Sequence, residues 1–173
     1  GGVDIYIFAC DATALATVAD SLAAIEKFIV EEKKLTWEEL QTILKNNWEG
    51  AEHIRLMFKS IPKYGSGNSR ADYYAKLIAD MYTNLMIGTP TKAGFRVLPG
   101  IFSHGDVYIH GRNLPATPNG RYAGDPISHS ADPDPGFLPG GGTAPTAKAN
   151  AVAGVQSGYG NSTPLQIDMD SKL

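Results

Sequence analysis

The stretch Thr117-Pro-Asn-Gly-Arg-Tyr-Ala-Gly-Asp-Pro126 is the most informative part of this chain of 173 residues. Proline followed by asparagine and glycine predicts a tight turn, because proline fixes φ and glycine accepts backbone angles that other residues avoid. Such a turn gives the side chain of Arg121 a fixed direction. A guanidinium forks well onto a carboxylate, so Asp125 is one expected partner, and contact with a bound anion is the functional alternative.

The residues on either side of this stretch are rich in turn-forming types. Most of the 19 glycines and 11 prolines follow Gly88. The short apolar runs Phe95–Leu98 and Val107–Ile109 are typical of strands, and the alternation in Pro164–Met169 predicts a half-buried strand. Ala147–Gln156 is a further candidate element. We therefore expect strands and long loops over about residues 93–170.

The first half of the chain has the periodicity of helices. Thr17 or Asp20 is a candidate cap for the first helix, and Thr36 with Glu39 forms a capping box that starts the second. A third helix is expected over about 51–61 and a fourth over about 69–86. The fourth has an apolar stripe: Tyr74, Leu77, Ile78, Met81 and Leu85. A packed helical layer over about residues 15–87 follows.

Composition limits the possible functions. Apolar residues make up 43% and charged residues 19%, which is typical of a globular protein. A net charge of −3 argues against nucleic acid or an anionic membrane as partner. The single cysteine excludes a disulfide framework and favours a cytoplasmic location. The chain starts without methionine in an apolar run, which we interpret as the start of an internal piece.

Five segments of the chain resemble glycyl radical enzymes, the relatives of pyruvate formate-lyase and glycerol dehydratase. Val18–Ile25 resembles the family's A-D-S-L-A-A-I helix, and Thr36–Gly50 resembles the E-L-x-x-A-L-x-x-N-[FW]-x-G stretch after it. Pro62–Gly65 resembles P-K-[FY]-G. Thr117–Gly124 resembles T-P-D-G-R-x-A-G, and Gly140–Thr146 resembles the G-P-T-A segment downstream. Their order is the family's order.

The resemblance implies an α/β fold, in which residues 1–173 form one segment of a ten-stranded β/α barrel. It also implies radical lyase, dehydratase or formate-lyase-type chemistry on a small anaerobic metabolite. The family binds no cofactor directly. Its glycyl radical is installed by a separate S-adenosylmethionine iron–sulfur activase, which would be a partner, and a homodimer is a further expected assembly. Family-motif positions with a structural or near-site role are Thr117, Pro118, Asn119, Gly120, Arg121 and Gly124.

Both radical-bearing motifs of the family are missing from this sequence. Cys10 lies in Phe-Ala-Cys-Asp, unlike the family's G-C-x-[EP] loop, and neither Gly158 nor Gly160 follows the Arg-Val of its glycyl loop. Asn119 replaces the usual aspartate. We therefore expect a core segment that is inactive alone. The alternative is a non-catalytic binding or scaffold module derived from the family.

Other chemistry-bearing residues have ordinary explanations. Asp132 with Asp134, and Asp168 with Asp170, are carboxylate pairs suited to acid–base work, but solvated carboxylates are commoner. The four histidines lack metal-ligand spacing, so no metal site is expected. They are His53, His104, His110 and His129.

Overall fold

The computed structural model describes residues 2, 8–103, 105–134, 145–155 and 164. These residues form two strands and six α-helices, four of them between the two strands, and a π-helical segment, Glu26–Glu31, continues the first helix. In chain order the elements are β1 Phe8–Ala12, α1 Leu15–Ile25, α2 Trp37–Lys45, α3 Glu52–Lys59, α4 Arg70–Gly88, β2 Val97–Ile101, α5 Val107–Arg112 and α6 Pro145–Gly154.

Side-chain caps start two of the helices. The Thr36 hydroxyl accepts from the Glu39 amide, and the Glu39 carboxylate accepts from the Thr36 amide, which confirms the predicted capping box of α2. Ser69 and Asp72 form the same arrangement at the start of α4. The capping prediction for the first helix is wrong. Thr17 and Asp20 lie inside α1 and are buried, because their side chains bind other segments of the chain.

Alanines form the buried faces of α1 and α4, which pack against each other. They are Ala16, Ala19 and Ala23 on α1, and Ala71, Ala75 and Ala79 on α4. Small side chains allow two helices to approach closely. The predicted stripe of α4 is therefore wrong in part: Leu77, Met81 and Leu85 are exposed, Met81 at 63%, while Tyr74 and Ile78 are partly buried.

The sheet consists of β1 and β2 in parallel, with Phe8 beside Val97 and Ala12 beside Ile101. β2 overlaps the strand predicted over Phe95–Leu98 but runs further along the chain.

The strand predicted over Val107–Ile109 is wrong, because these residues begin α5. Val107 is buried, whereas Tyr108 is 64% exposed and Ile109 also faces outward. Tertiary contacts outweigh the β propensity of the run: the Val107 carbonyl accepts from the Ile127 amide, and the next turn of α5 packs on Asp125.

An aromatic cluster joins the helical layer to the second half of the chain. The rings of Phe28 and Trp48 lie 5.1 Å and 6.0 Å from that of Phe58, centroid to centroid. The Trp48 indole Nε1 donates to the Arg121 carbonyl over 3.1 Å. The Thr117–Gly124 stretch is therefore anchored directly to the core. α6 confirms an element near Ala147, and the strand predicted over 164–169 lies outside the described residues apart from Pro164.

Among the residues that the structure describes, every helix is too short or too polar to cross a membrane.

A substitution at Gly111 of α5 tests the packing between α5 and the 125–126 segment. A Cβ at this position would lie 2.1 Å from the Asp125 carbonyl oxygen, so the backbone must shift. We expect Gly111→Ala to lower the free energy of unfolding by about 2 kcal/mol, as overpacking does. The measurement is the urea unfolding midpoint.

The matched control is Gly88→Ala, in α4, where a Cβ meets nothing within 4 Å. Alanine favours a helix over glycine, so this variant is expected to be neutral or slightly more stable. Equal destabilisation of the two variants would show that Gly111 is not closely packed.

Candidate functional site

Segments from three of the recognised motifs meet at one buried group of polar side chains, which we call the polar cluster. It consists of Asp20 and Ser21 from α1, Lys63 from the Pro62–Gly65 turn, Asn119 from the Thr117–Gly124 stretch, and Asp134. These residues are far apart in sequence. The fold brings the motifs together in space.

Asp20 is the member of the polar cluster that has no solvent exposure. Its Oδ1 accepts from the Tyr64 amide over 2.9 Å, and its Oδ2 lies 3.8 Å from the ammonium nitrogen of Lys63. Burial raises the pKa of Asp20 to about 7, although Lys63 opposes the rise. Burial also lowers the pKa of Lys63. Both groups therefore lose more from desolvation than the ion pair returns.

Asn119 connects the turn to the rest of the cluster. Its backbone amide donates to the Ser21 hydroxyl over 3.1 Å, and its side-chain oxygen accepts from the Thr117 hydroxyl over 2.7 Å. Its side-chain nitrogen donates to the Asp134 carboxylate over 3.0 Å. A carboxylate at position 119 cannot donate this last bond, so the presence of Asp134 explains the amide here.

Arg121 is buried, and its guanidinium binds backbone and hydroxyl oxygens. Nη1 donates to the Asp125 carbonyl over 2.7 Å, Nη2 to the Pro115 carbonyl, and Nε to the Thr117 hydroxyl over 3.2 Å. The predicted carboxylate pairing with Asp125 is therefore replaced by a bond to its main chain. Burial lowers the pKa of Arg121. The arginine holds the loop closed on both sides of the turn.

The predicted turn is present. The Gly120 amide donates to the Thr117 carbonyl over 3.0 Å, and the Thr117 amide donates to the Arg121 carbonyl over 3.1 Å. Pro118 occupies the second position of this turn. Gly120 has φ of 91° and Gly124 has φ of 83°, which favours glycine at both positions.

A cleft of about 420 Å³ opens beside the turn. Three basic side chains line it, those of Arg55, Lys59 and Arg121, and two acidic ones, those of Asp125 and Asp134. Arg55 donates from Nη1 to the Gly120 carbonyl over 3.0 Å and forms a two-pronged ion pair with Glu52. The cleft thus combines positive groups with carboxylates on a rigid frame.

Reciprocal hydroxyl–backbone bonds hold the segment that leads from the turn to Asp134. Thr17 and Ser128 each donate an amide to the other's hydroxyl, over 3.1 Å and 3.0 Å. Ser103 and Ser130 do the same over 3.3 Å and 2.9 Å. Ser130 has a positive φ of 45°, an unusual backbone for a serine. No recognised motif marks these two pairs of bonds; their only signal in the sequence is the Ser128-His-Ser130 spacing.

The remaining candidates are scattered. His129 Nδ1 lies 3.3 Å from the Asp132 carboxylate, whereas Asp134 binds Asn119, so the predicted carboxylate pair is divided between two partners. Within the described residues, no group of histidine, cysteine and acidic side chains is arranged to hold a metal ion. The predicted positions His104, Asp168 and Asp170, and residues 140–144 of the Gly140–Thr146 segment, lie outside the described residues.

Cys10 does not fit the role of a radical cysteine. It lies on strand β1 rather than on a loop, it is half-buried, and its carbonyl accepts from the Tyr82 hydroxyl over 2.6 Å. Cys10 is therefore placed differently from the loop cysteine that the resemblance implies.

Comparison with known proteins gives a consistent result. The family model described as pyruvate formate lyase-like matches residues 1–108. The isethionate sulfite-lyase of Oleidesulfovibrio alaskensis is 39% identical over 136 residues, which cover 74% of this chain and 15% of that protein. The (2S)-3-sulfopropanediol dehydratase of Klebsiella oxytoca is 31% identical over 135 residues, which cover 77% of this chain and 16% of that protein.

A solved structure matches as well. The glycerol-bound B12-independent glycerol dehydratase from Clostridium butyricum superimposes with a TM-score of 0.80 at 28% identity, over 90% of this chain and 20% of that one. The chain therefore has the fold of part of such an α/β barrel. It spans about 15% of the length of the curated relatives named above.

The buried position of Asp20 predicts a pH dependence of stability. Because the pKa of Asp20 is about 7 in the folded chain and 3.8 ordinarily, the folded state holds this proton more tightly between these values. The contribution of Asp20 to the free energy of unfolding is thus complete below about pH 4, and it is lost as the pH rises through about 7. We expect Asp20→Asn to remove this decline. The measurement is the free energy of unfolding of both proteins from pH 4 to 8.

The difference between the two proteins isolates Asp20 from other titrating groups. A wild-type minus variant difference that stays constant over this pH range would contradict the raised pKa.

The contact between Asn119 and Asp134 predicts a rescue. Asn119→Asp places two carboxylates in contact and is expected to cost about 1–3 kcal/mol of stability. Adding Asp134→Asn restores a donor, so the double variant is expected to recover most of the loss. The measurement is a double-mutant cycle of urea unfolding. Additive losses would rule out a direct contact.

Proposed function

This chain belongs to the pyruvate formate lyase-like family of glycyl radical enzymes, and from that premise we propose that it is a core segment of a radical lyase. The substrate class that we propose is a small hydroxylated alkyl sulfonate, cleaved at its carbon–sulfur bond. The observation that carries this choice is the identity of 39% to an isethionate sulfite-lyase, against 31% to a sulfopropanediol dehydratase over a similar length.

The proposed role of this segment is to build a rigid wall next to the reaction. Residues 1–173 form one part of a larger barrel domain, and the positions Thr117, Pro118, Asn119, Gly120, Arg121 and Gly124 support the site. Their side chains and turn are fixed by the Trp48 indole, the polar cluster and the carbonyls around Arg121. Fixed polar groups favour reactions that need an enclosed and preorganised setting.

The proposed reaction balances without an external oxidant or reductant. Isethionate, HOCH₂CH₂SO₃⁻, would be converted into acetaldehyde and hydrogen sulfite, which together contain all of its atoms. The radical positions would lie in other parts of the complete polypeptide. A separate activase would install the glycyl radical, and a cytoplasmic location is part of the proposal.

The test uses the complete polypeptide that contains this segment, together with an activase and S-adenosylmethionine in the absence of oxygen. We expect a glycyl doublet in electron paramagnetic resonance, followed by release of sulfite and acetaldehyde from isethionate. A matched reaction with 1,2-propanediol is expected to give no propanal. The 173-residue chain alone is expected to show no doublet.

Each part of this proposal is open to contradiction. A doublet with propanal and no sulfite would replace the lyase by a diol dehydratase. A complete polypeptide that never forms a doublet would favour the non-catalytic module. A doublet in the 173-residue chain would contradict the expectation that it is inactive alone.

A further inference from the structure

We propose that helix α4 carries a docking surface for a second helix, which belongs to the same polypeptide but lies outside residues 1–173. The surface is a row of large apolar side chains that the structure leaves exposed on one side of α4. We call it the apolar row, and it consists of Tyr73, Leu77, Met81 and Leu85. The inference rests on the proposed function only for its premise that this chain is one segment of a longer protein.

Two opposite sides of α4 are apolar. Ala71, Ala75 and Ala79 are buried on the side that packs against α1. Each residue of the apolar row follows a residue of that buried side by two positions, which is about 200° around the helix axis. A surface helix of a globular protein normally has a single apolar stripe, and a helix that is apolar on several sides is a buried one. α1 is one neighbour of α4, and the apolar row marks the place of another.

The apolar row has a border of polar groups whose charges are already balanced. Lys76 and Asp80 each precede a residue of the row by one position, and they form an ion pair over 2.9 Å. At the first turn of α4, the guanidinium of Arg70 lies 5.0 Å from the centre of the Tyr73 ring and is paired with Glu26. A charged partner therefore gains little along this border, and the occupant that fits the row presents apolar side chains.

The shape of the apolar row fits one helix. Side chains four residues apart form a ridge on a helix, and this ridge packs into the groove of a second helix at a crossing angle of about 50°. From Tyr73 to Leu85 the row is on the order of 18 Å long, and a helix with its side chains is about 10 Å wide. A single crossing helix therefore covers the larger part of the row.

The area of the apolar row favours a segment of the same polypeptide over a second copy of the chain. Its four side chains are each about half exposed and offer on the order of 400 Å², whereas each partner of a stable complex buries about 800 Å². A covalently connected segment needs less area, because the connection gives it a high effective concentration. This chain covers only 15% and 16% of the two curated relatives compared above, so most of a polypeptide of that length lies outside this segment.

Met81 is a native probe of the apolar row, because its side chain is 63% exposed and hydrogen peroxide converts accessible methionine into the sulfoxide. We expect Met81 to be oxidised about tenfold more slowly in the complete polypeptide than in the 173-residue chain, since a helix covers it there. The measurement is mass spectrometry of the peptide that contains it. Met86 is the matched control, because it is half-buried on α4 and lies off the row. Its rate is expected to agree within about threefold between the two proteins.

A photoreactive benzoylphenylalanine in place of Met81 identifies the occupant. In the complete polypeptide we expect a crosslink, within one copy, to a peptide outside residues 1–173 that carries apolar residues four positions apart. The same group in place of Lys76, on the polar border, is expected to give little of this crosslink.

Four results would each overturn the proposal. They are equal oxidation of Met81 in the two proteins, equal protection of Met86 and Met81, a crosslink from position 81 to a second copy, and protection of Met81 that rises with the concentration of the 173-residue chain. The last two would assign the apolar row to self-association. All of these measurements use unactivated protein without substrate, so their failure is separate from failure of the proposed lyase activity.

Discussion

The desolvation of Asp20 is the constraint on which the arrangement of the motifs depends. A carboxylate with no solvent exposure is costly unless positive charge and hydrogen-bond donors surround it. Lys63 and the Tyr64 amide supply these from the Pro62–Gly65 turn. Because α1 carries the acid and the turn carries its partners, neither segment can move far from the other. The neighbouring Ser21 then fixes Asn119, and with it the second half of the chain.

The glycine that follows Tyr64 extends this constraint to α6. A Cβ at Gly65 would lie 2.8 Å from Pro133 Cγ and 2.9 Å from the Ala147 carbonyl oxygen, so both segments lie directly on the turn. The Tyr64 hydroxyl lies 2.7 Å from the Ala151 carbonyl and 3.0 Å from that of Ala131. Its single proton is shared between two segments. One turn of four residues thus orders α1, the 131–134 segment and α6.

Local sequence signals predicted the elements that depend on local interactions. The capping box at Thr36 needs only four consecutive residues, and it is present as predicted. The Pro-Asn-Gly turn is likewise local. By contrast, Thr17 looks like a cap in the sequence but bonds Ser128, which lies 111 residues away. Val107 begins a β-like run but starts a helix, because its neighbours in space lie near Ile127. The helix or strand propensity of a residue carries no information about such distant partners.

In the candidate site, too, the sequence predicted the local features but not the contacts between distant residues. The resemblance located the Thr117–Gly124 stretch, but it did not give the partners of its side chains. Asn119 is a tolerated turn residue in the sequence and a donor to Asp134 in the structure. Arg55 and Lys59 carried no motif, and they entered the site only because α3 passes beside Gly120. Both side chains line the cleft beside the turn, although no motif marks them. The motif residues hold the backbone of the turn in place. The chemistry of the cleft beside the turn depends instead on the side chains that the fold brings next to it from other segments.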